Sequence, residues 1–238
     1  DEPSRTTIEG FLTYLGSFAP VAFFLLTGLG YGVAPVGNRN GTHRYGLANK
    51  VGILVFADVL LAWQHGYWVG LNFLGFIGIS TLVLEKLREA KYPFALAVVA
   101  AGAVLGVRFV VGPVVLARFG SAAGWFTGAN GIDGLAYNPF PWLFYPFFGY
   151  VLGRVAQRWS DEIRAGSLLA YGLLTAGALV SWAAAEMLTG AGRPAFRWGV
   201  VTIAFFAQSM IVVFAGLLAV LVAHRSRTVS TWLEPLRL

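Results

Sequence analysis

Residues 137–154, YNPFPWLFYPFFGYVLGR, place three prolines and four phenylalanines in what otherwise reads as a membrane-spanning segment. Proline lacks a backbone N–H and obstructs the preceding helical turn. Pro139 and Pro141 therefore suit the start of a helix, whereas Pro146 is expected to kink it. The stretch predicts a helix that begins at a membrane surface and bends soon afterwards.

The same stretch also predicts a helix–helix contact. Gly149 and Gly153 are four residues apart, so they fall on one face of a helix and remove its side chains there. A second backbone can then approach closely enough for dispersion contacts to accumulate. We expect this face to be a packing surface rather than a catalytic one.

The rest of the chain is equally apolar, with 57% hydrophobic and 12% charged residues and a mean hydropathy of +0.69. This composition is typical of an integral membrane protein. Seven apolar segments are separated by short polar stretches, at 11–34, 47–64, 68–86, 92–117, 139–154, 166–190 and 198–224. They predict an all-α, polytopic membrane helix bundle of about seven transmembrane helices, forming a single domain over residues 1–238.

The basic residues lie unevenly between the two predicted sides of the membrane. Twelve fall on one side: Arg39, Arg44, Lys50, Lys86, Arg88, Lys91, Arg154, Arg158, Arg164, Arg225, Arg227 and Arg237. Four fall on the other: Arg5, Arg118, Arg193 and Arg197. By the positive-inside rule the N-terminus is outside and the C-terminus cytoplasmic, in a bacterial inner membrane. An outside N-terminus is natural if a preceding helix has been removed or the chain is part of a longer protein.

The net charge of +6 is spread over loops, which favours the lipid bilayer as partner and argues against nucleic acid. The chain has no cysteine, which excludes disulfides, thiolate metal sites and a cysteine nucleophile. We predict no metal site.

Three stretches carry a resemblance to a known family: FAPVAFFLLTGLGYG at 18–32, RNGTHR at 39–44 and FPWLFYPFFGYVLGR at 140–154. They resemble the membrane acyltransferases related to heparan glucosaminide acetyltransferase and the wider acyltransferase-3 group. The resemblance implies transfer of an acyl group from a cytoplasmic acyl-CoA to an acceptor at the outer side. It also implies that Arg39, His43 and Arg44 meet the acyl-CoA phosphates, although the positive-inside signal alone explains these residues equally.

The sequence departs from that family at its catalytic position. Members use a histidine on the helix before the glycine-rich one, and this sequence has no such helix. By the predicted topology His43 and His224 are cytoplasmic and His65 is external, so none matches that position. The catalytic residues stay unassigned. The alternative is a non-catalytic accessory subunit of a larger membrane complex, for example a photosynthetic or respiratory one.

Two polar residues fall inside predicted helices. Asp58 lies eleven residues into the second segment, about 16 Å along it, and should face the bundle interior or be protonated. The sequence leaves two interpretations of Asp58: it makes a local structural hydrogen bond, or it lines a functional cavity. Gln208, with Ser209, is expected to bond between helices rather than to catalyse.

Three further polar residues are predicted at the outer side. His65 lies among Trp63, Tyr67 and Trp68, as an interfacial aromatic belt or as an acceptor-side base or a pigment or metal ligand. Arg108 and Glu186 lie near the outer ends of their segments. They either pair across the bundle or extend separately to the headgroups.

Overall fold

The computed structural model describes residues 16–34, 41–64, 66, 72–120, 137–158, 168–190 and 202–225. Side chains are described throughout these ranges except at residues 41–45, 189–190 and 223–225. No β-strand occurs in the described ranges, which confirms the all-α prediction.

Within the described ranges, seven helical segments follow the seven apolar segments of the sequence. The helices are α1 (Ala19–Val33), α2 (Gly41–Gln64), α3 (Phe73–Glu89), α4 (Pro93–Phe119), α5 (Pro139–Trp142), α6 (Phe144–Arg158), α7 (Leu168–Gly190) and α8 (Ile203–Arg225). The fifth segment holds both the single turn α5 and the longer α6. Helix α2 is longer than expected, since it begins at Gly41, within the RNGTHR motif, whereas α3 begins at Phe73 and ends at Glu89, three residues beyond the predicted end at 86.

Four stretches of the described part of the chain are long and apolar enough to cross a membrane: Gly46–Gln64, Pro93–Phe119, Leu168–Leu188 and Ile203–Val222. They indicate an integral membrane protein with several crossings. Helix α1 is apolar but has only 15 residues. The number of seven crossings and the sides of the termini stay predictions.

The chain divides into two compact units. The first comprises residues 1–155 with 197–201, and the second residues 156–196 with 202–238. The first unit therefore holds α1 to α5 and most of α6, and the second holds α7 and α8.

Proline sets several helix boundaries in the first unit. Helices α1, α4 and α5 each carry a proline in the first two positions, where its missing N–H has no intrahelical partner to lose. The fifth segment is interrupted at Leu143, between α5 and α6. Pro146 cannot donate to the carbonyl of Trp142 four residues earlier, so the interruption falls in the turn that this proline disturbs.

Proline also explains an irregular turn inside α4. Residues Val107–Val111 are π-helical, and the N–H of Gly112 bonds to the carbonyl of Val107 five residues earlier. Pro113 follows directly and offers no N–H to the carbonyl of Phe109. The widened π-helical turn accommodates the missing N–H of Pro113.

Helix α3 is the centre of packing in the first unit, with α1, α2 and α4 all in contact with it. The short helix α5 packs against α4, including its π-helical turn. Arg88 near the end of α3 donates a hydrogen bond to the carbonyl of Ala34, 3.2 Å away, just after α1 ends. Glu85 is paired with Arg88 at 4.0 Å, and both side chains are buried. One face of this end of α3 therefore lies in the protein interior, while Lys86 and Glu89 on the same helical end are exposed.

Helices α1 and α6 meet through glycines on both sides. A β-carbon added at Gly32 would lie 2.9 Å from the Cα of Gly153, and one at Gly28 would lie 2.8 Å from the nitrogen of Tyr150. A β-carbon at Gly149 would lie 2.9 Å from the carbonyl carbon of Leu25. The two backbones thus touch at a place where no larger residue fits.

The second unit is an antiparallel helical hairpin. Tyr171 of α7 donates to the carbonyl of Leu221 of α8 at 3.3 Å, and Gly177 lies against the ring of Phe214. The hydroxyl of Thr202 accepts the N–H of Phe205 at 3.0 Å, so α8 begins with a side-chain cap.

Candidate functional site

The most distinctive group of side chains in the first unit is a set of packed aromatic rings. We call it the aromatic cluster; it comprises Phe24, Phe73, Phe76, Tyr137, Trp142 and Tyr145. The ring of Phe24 is central, at 4.5 Å from Phe76, 5.3 Å from Tyr137 and 5.8 Å from Trp142. Tyr137 and Trp142 are 4.9 Å apart and nearly perpendicular. These are favourable edge-to-face distances, so the rings hold one another in place.

The elements that position the cluster follow from the sequence. Phe73 and Phe76 are three residues apart at the start of α3, so they share the face that meets α1. Tyr137 and Trp142 flank the single turn of α5. The awkward proline-rich stretch therefore brings two aromatic rings to α1 and α3.

Asn138 directly follows Tyr137 of the cluster in the sequence and has no exposed surface. Neither its Nδ2 nor its Oδ1 has a hydrogen-bond partner among the described residues. Burying an amide without partners costs about 1–3 kcal/mol, and such groups in native proteins usually mark a catalytic role, an ordered water or a ligand. Asn138 is thus the most unusual polar residue of the first unit.

Asp58 is the second polar residue beside the cluster. It is 2% exposed, and its Oδ2 accepts the backbone N–H of Asn72 at 2.8 Å. Asn72 precedes α3, and the N-terminus of a helix favours a nearby negative charge. Gly75, one turn into α3, leaves the space that the carboxylate occupies. The other oxygen, Oδ1, is buried and has no partner in the described part of the chain.

The depth of Asp58 agrees with the expectation. It lies six residues before Gln64, the end of the apolar span Gly46–Gln64 (64 − 58), and three residues from residue 55 at its centre (58 − 55), so about 9 Å from the end and about 5 Å from the centre. The carboxylate is therefore nearer the middle of the span than its end.

Tyr137 supplies a hydrogen-bond donor to the same region. Burial raises the pKa of its phenol, because the charged form would lose its hydration. The phenol therefore stays neutral at physiological pH and keeps its O–H as a donor.

Arg108 lies on the π-helical turn of α4, against which α5 packs. It is 8% exposed, and its guanidinium carbon is 5.4 Å from the ring centroid of Phe109. Helix α4 continues for eleven residues to Phe119 (119 − 108), so Arg108 is closer to the middle of this helix than expected. Such burial does not fit a side chain that extends to lipid headgroups.

The other predicted residues are distributed over the chain. Gln208 is buried on α8, with its Oε1 lacking a partner in the described ranges, and Glu186 is exposed on α7. His43 and Arg44 begin α2, but their side chains are outside the described set. Arg39 and His65 lie outside the described residues. No group of three or more histidines, cysteines or acidic residues that could hold a metal occurs among the residues described.

The sequence reasoning did not single out Asn138, Tyr137 or Trp142. The available signal was local: an asparagine that directly precedes a Pro-x-Pro helix start, with aromatic residues on both sides. Comparison with known proteins adds no assignment, since no family model, curated protein or solved structure matches the chain.

Proposed function

We propose that the protein crosses the membrane seven times, with its N-terminus outside, and transfers an acyl group from a cytoplasmic acyl-CoA to an acceptor at the outer side. The observation that carries this proposal is the uncommitted hydrogen-bonding capacity beside the aromatic cluster. It belongs to Asn138 and to Oδ1 of Asp58. Asn138 lies two residues before the stretch 140–154, whose resemblance suggests acyl transfer, and Trp142 and Tyr145 of the aromatic cluster lie within that stretch.

The chemistry of acyl transfer fits such a site. Attack on a thioester places negative charge on the carbonyl oxygen, and fixed donors in a dry environment stabilise that charge far better than water does. Asn138 and the neutral Tyr137 offer donors, and the surrounding rings exclude water.

The reaction further needs a base that removes a proton from the acceptor near neutral pH. No imidazole occurs among the described side chains. We propose His65 for this role because it directly follows α2, the helix that carries Asp58. The phosphates of acyl-CoA would meet Arg39, His43 and Arg44 on the opposite, cytoplasmic side.

A thiol-release assay tests the proposal directly. The chain contains no cysteine, so any thiol that reacts with a chromogenic disulfide comes from released CoA. The purified protein in lipid nanodiscs is given acetyl-CoA or palmitoyl-CoA with a membrane-lipid and glycan extract as acceptor. We expect thiol release that depends on the extract, with an acylated product visible by mass spectrometry. His65→Gln should abolish transfer, while Glu186→Gln, an exposed carboxylate on α7, should not.

The accessory-subunit role is the alternative, and the exposed apolar surface of α7 favours it. Leu168, Val180 and Met187 are each at least 70% exposed on this helix, which suits either lipid or a neighbouring subunit. Mild extraction from native membranes followed by native mass spectrometry separates the two. A stoichiometric membrane partner together with no thiol release would support the accessory-subunit role and contradict the acyltransferase role.

A further inference from the structure

We infer that Asn138 is a catalytic residue of this acyl transfer, whose Nδ2–H donates a hydrogen bond to the acyl carbonyl oxygen as negative charge develops there. The inference rests on the proposed function and assigns it an oxyanion-stabilising group.

Asn138 occupies the position directly before α5, where asparagine normally accepts a bond from the second or third N–H of the helix. Its side chain makes no such capping bond. Pro139 and Pro141 occupy the first and third helical positions and have no N–H to give. Pro141 thus removes one of the two usual capping donors, and the amide makes no capping bond with the other, the N–H of Phe140.

Packing holds two aromatic rings of the same segment in place. Tyr137 and Trp142, on either side of Asn138 in the sequence, are held by their contacts with each other and with Phe24. With no exposed surface, Asn138 cannot turn outward to water. A donor that is buried, oriented and uncommitted before the substrate arrives needs little reorganisation during the reaction.

The step balances without any redox partner. The acceptor's oxygen or nitrogen attacks the carbonyl carbon of the acyl-CoA thioester and forms a C–O or C–N bond. The carbonyl π pair moves onto oxygen, where Nδ2–H of Asn138 stabilises it. When that pair returns, the C–S bond breaks and CoA leaves as thiolate. The thiolate then takes the proton that the base removed from the acceptor.

The decisive variant is Asn138→Leu, which keeps the side-chain size and removes both polar atoms. We expect kcat for thiol release to fall by about 100- to 1,000-fold, the usual loss for one oxyanion donor. KM for acyl-CoA should change little. The melting temperature should stay equal or rise, because two unsatisfied buried atoms are removed. Gln208→Leu, the matched change at a buried amide in the second unit, should leave kcat unchanged.

The outcomes separate the two proposals. Wild-type kcat in Asn138→Leu would overturn this inference and leave the acyl transfer standing, whereas an inactive wild-type protein would overturn both. A second measurement avoids dependence on folding of the variant. A ketone analogue of acyl-CoA, with a ¹³C-labelled carbonyl and CH₂ in place of sulfur, should show a lowered carbonyl stretch when bound to wild type. A stretch equal to that in an aprotic solvent would mean that no donor reaches the carbonyl, and the inference would be wrong.

Discussion

A carboxylate in an apolar helix is stable only if its surroundings replace water, and Asp58 shows how this chain achieves it. Its Oδ2 takes the N–H of Asn72, one of the donors that the first turn of any helix leaves without an intrahelical partner. The carboxylate of Asp58 and the N–H of Asn72 thus provide each other with a hydrogen-bond partner. Gly75 provides the space, since a β-carbon there would lie 3.3 Å from the Cβ of Asp58 and closer still to its carboxylate.

We expect Asp58→Ala to lower the stability of the protein by about 1–3 kcal/mol, because the buried N–H of Asn72 loses its acceptor. Asp58→Asn keeps an acceptor oxygen at the same position and should cost less. Thermal unfolding in one detergent, followed by tryptophan fluorescence, should give the highest melting temperature for wild type, a lower one for Asp58→Asn and the lowest for Asp58→Ala. Glu186→Ala, at an exposed carboxylate, serves as control. Identical melting of Asp58→Ala and wild type would mean that the carboxylate does not hold the start of α3.

At the scale of helices, the contact of α1 with α6 depends on the absence of side chains on both. Gly28 and Gly32 face Gly149 and Gly153 across the crossing, each pair separated by four residues. In lipid there is no hydrophobic force between helices, so close backbone contact and dispersion carry the association. Since α1 belongs to the same chain, this contact bears on the stability of the monomer.

Leucine at Gly149 or Gly153 should therefore lower the melting temperature of the detergent-purified monomer, and alanine at Gly28 or Gly32 should do the same. Gly30 lies between these two on α1 and has open space where a β-carbon would go. Gly30→Ala should leave stability unchanged or raise it, by up to about 1 kcal/mol from helix propensity. If Gly149→Leu and Gly153→Leu both keep native melting and native assembly, the close crossing is not required for the fold.

At the scale of the whole molecule, the charge distribution predicts which side of the membrane each connection faces. The ends of α4 offer well-separated reporters: Lys91 and Tyr92 precede it, and Arg118 and Phe119 end it. At each end a cation lies near an aromatic ring, at 5.2 Å for the first pair and 6.0 Å for the second. Such pairs are typical of membrane interfaces.

Single cysteines test this orientation cleanly, because the chain has none of its own. A membrane-impermeant maleimide added to intact cells should label Asp1→Cys and Arg118→Cys. Lys91→Cys should react only after the membrane is opened. Labelling of Asp1→Cys from the cytoplasmic side alone would show that the predicted orientation is wrong.

The sequence by itself determined the helices. In lipid a backbone must satisfy its own N–H and C=O groups, and a helix does this with bonds four residues apart, so long apolar runs are sufficient. The predicted segment 166–190 accordingly lies close to α7 (Leu168–Gly190), and 198–224 to α8 (Ile203–Arg225). The glycine spacing on α6 likewise indicated a close-packing face from sequence alone.

Only the tertiary structure decided which distant residues meet. It paired the glycines of α6 with those of α1, gave Asp58 a partner fourteen residues away, and buried Arg108 on a π-helical turn. Asn138 shows the difference most clearly, since its position before a helix predicts an ordinary cap. Pro141, which removes one of the usual capping donors, is visible in the sequence, but the complete burial of the amide is not. Hydrogen bonding within a helix is local and readable along the chain. Burial and partner choice depend on packing between segments far apart in sequence, which no local pattern specifies.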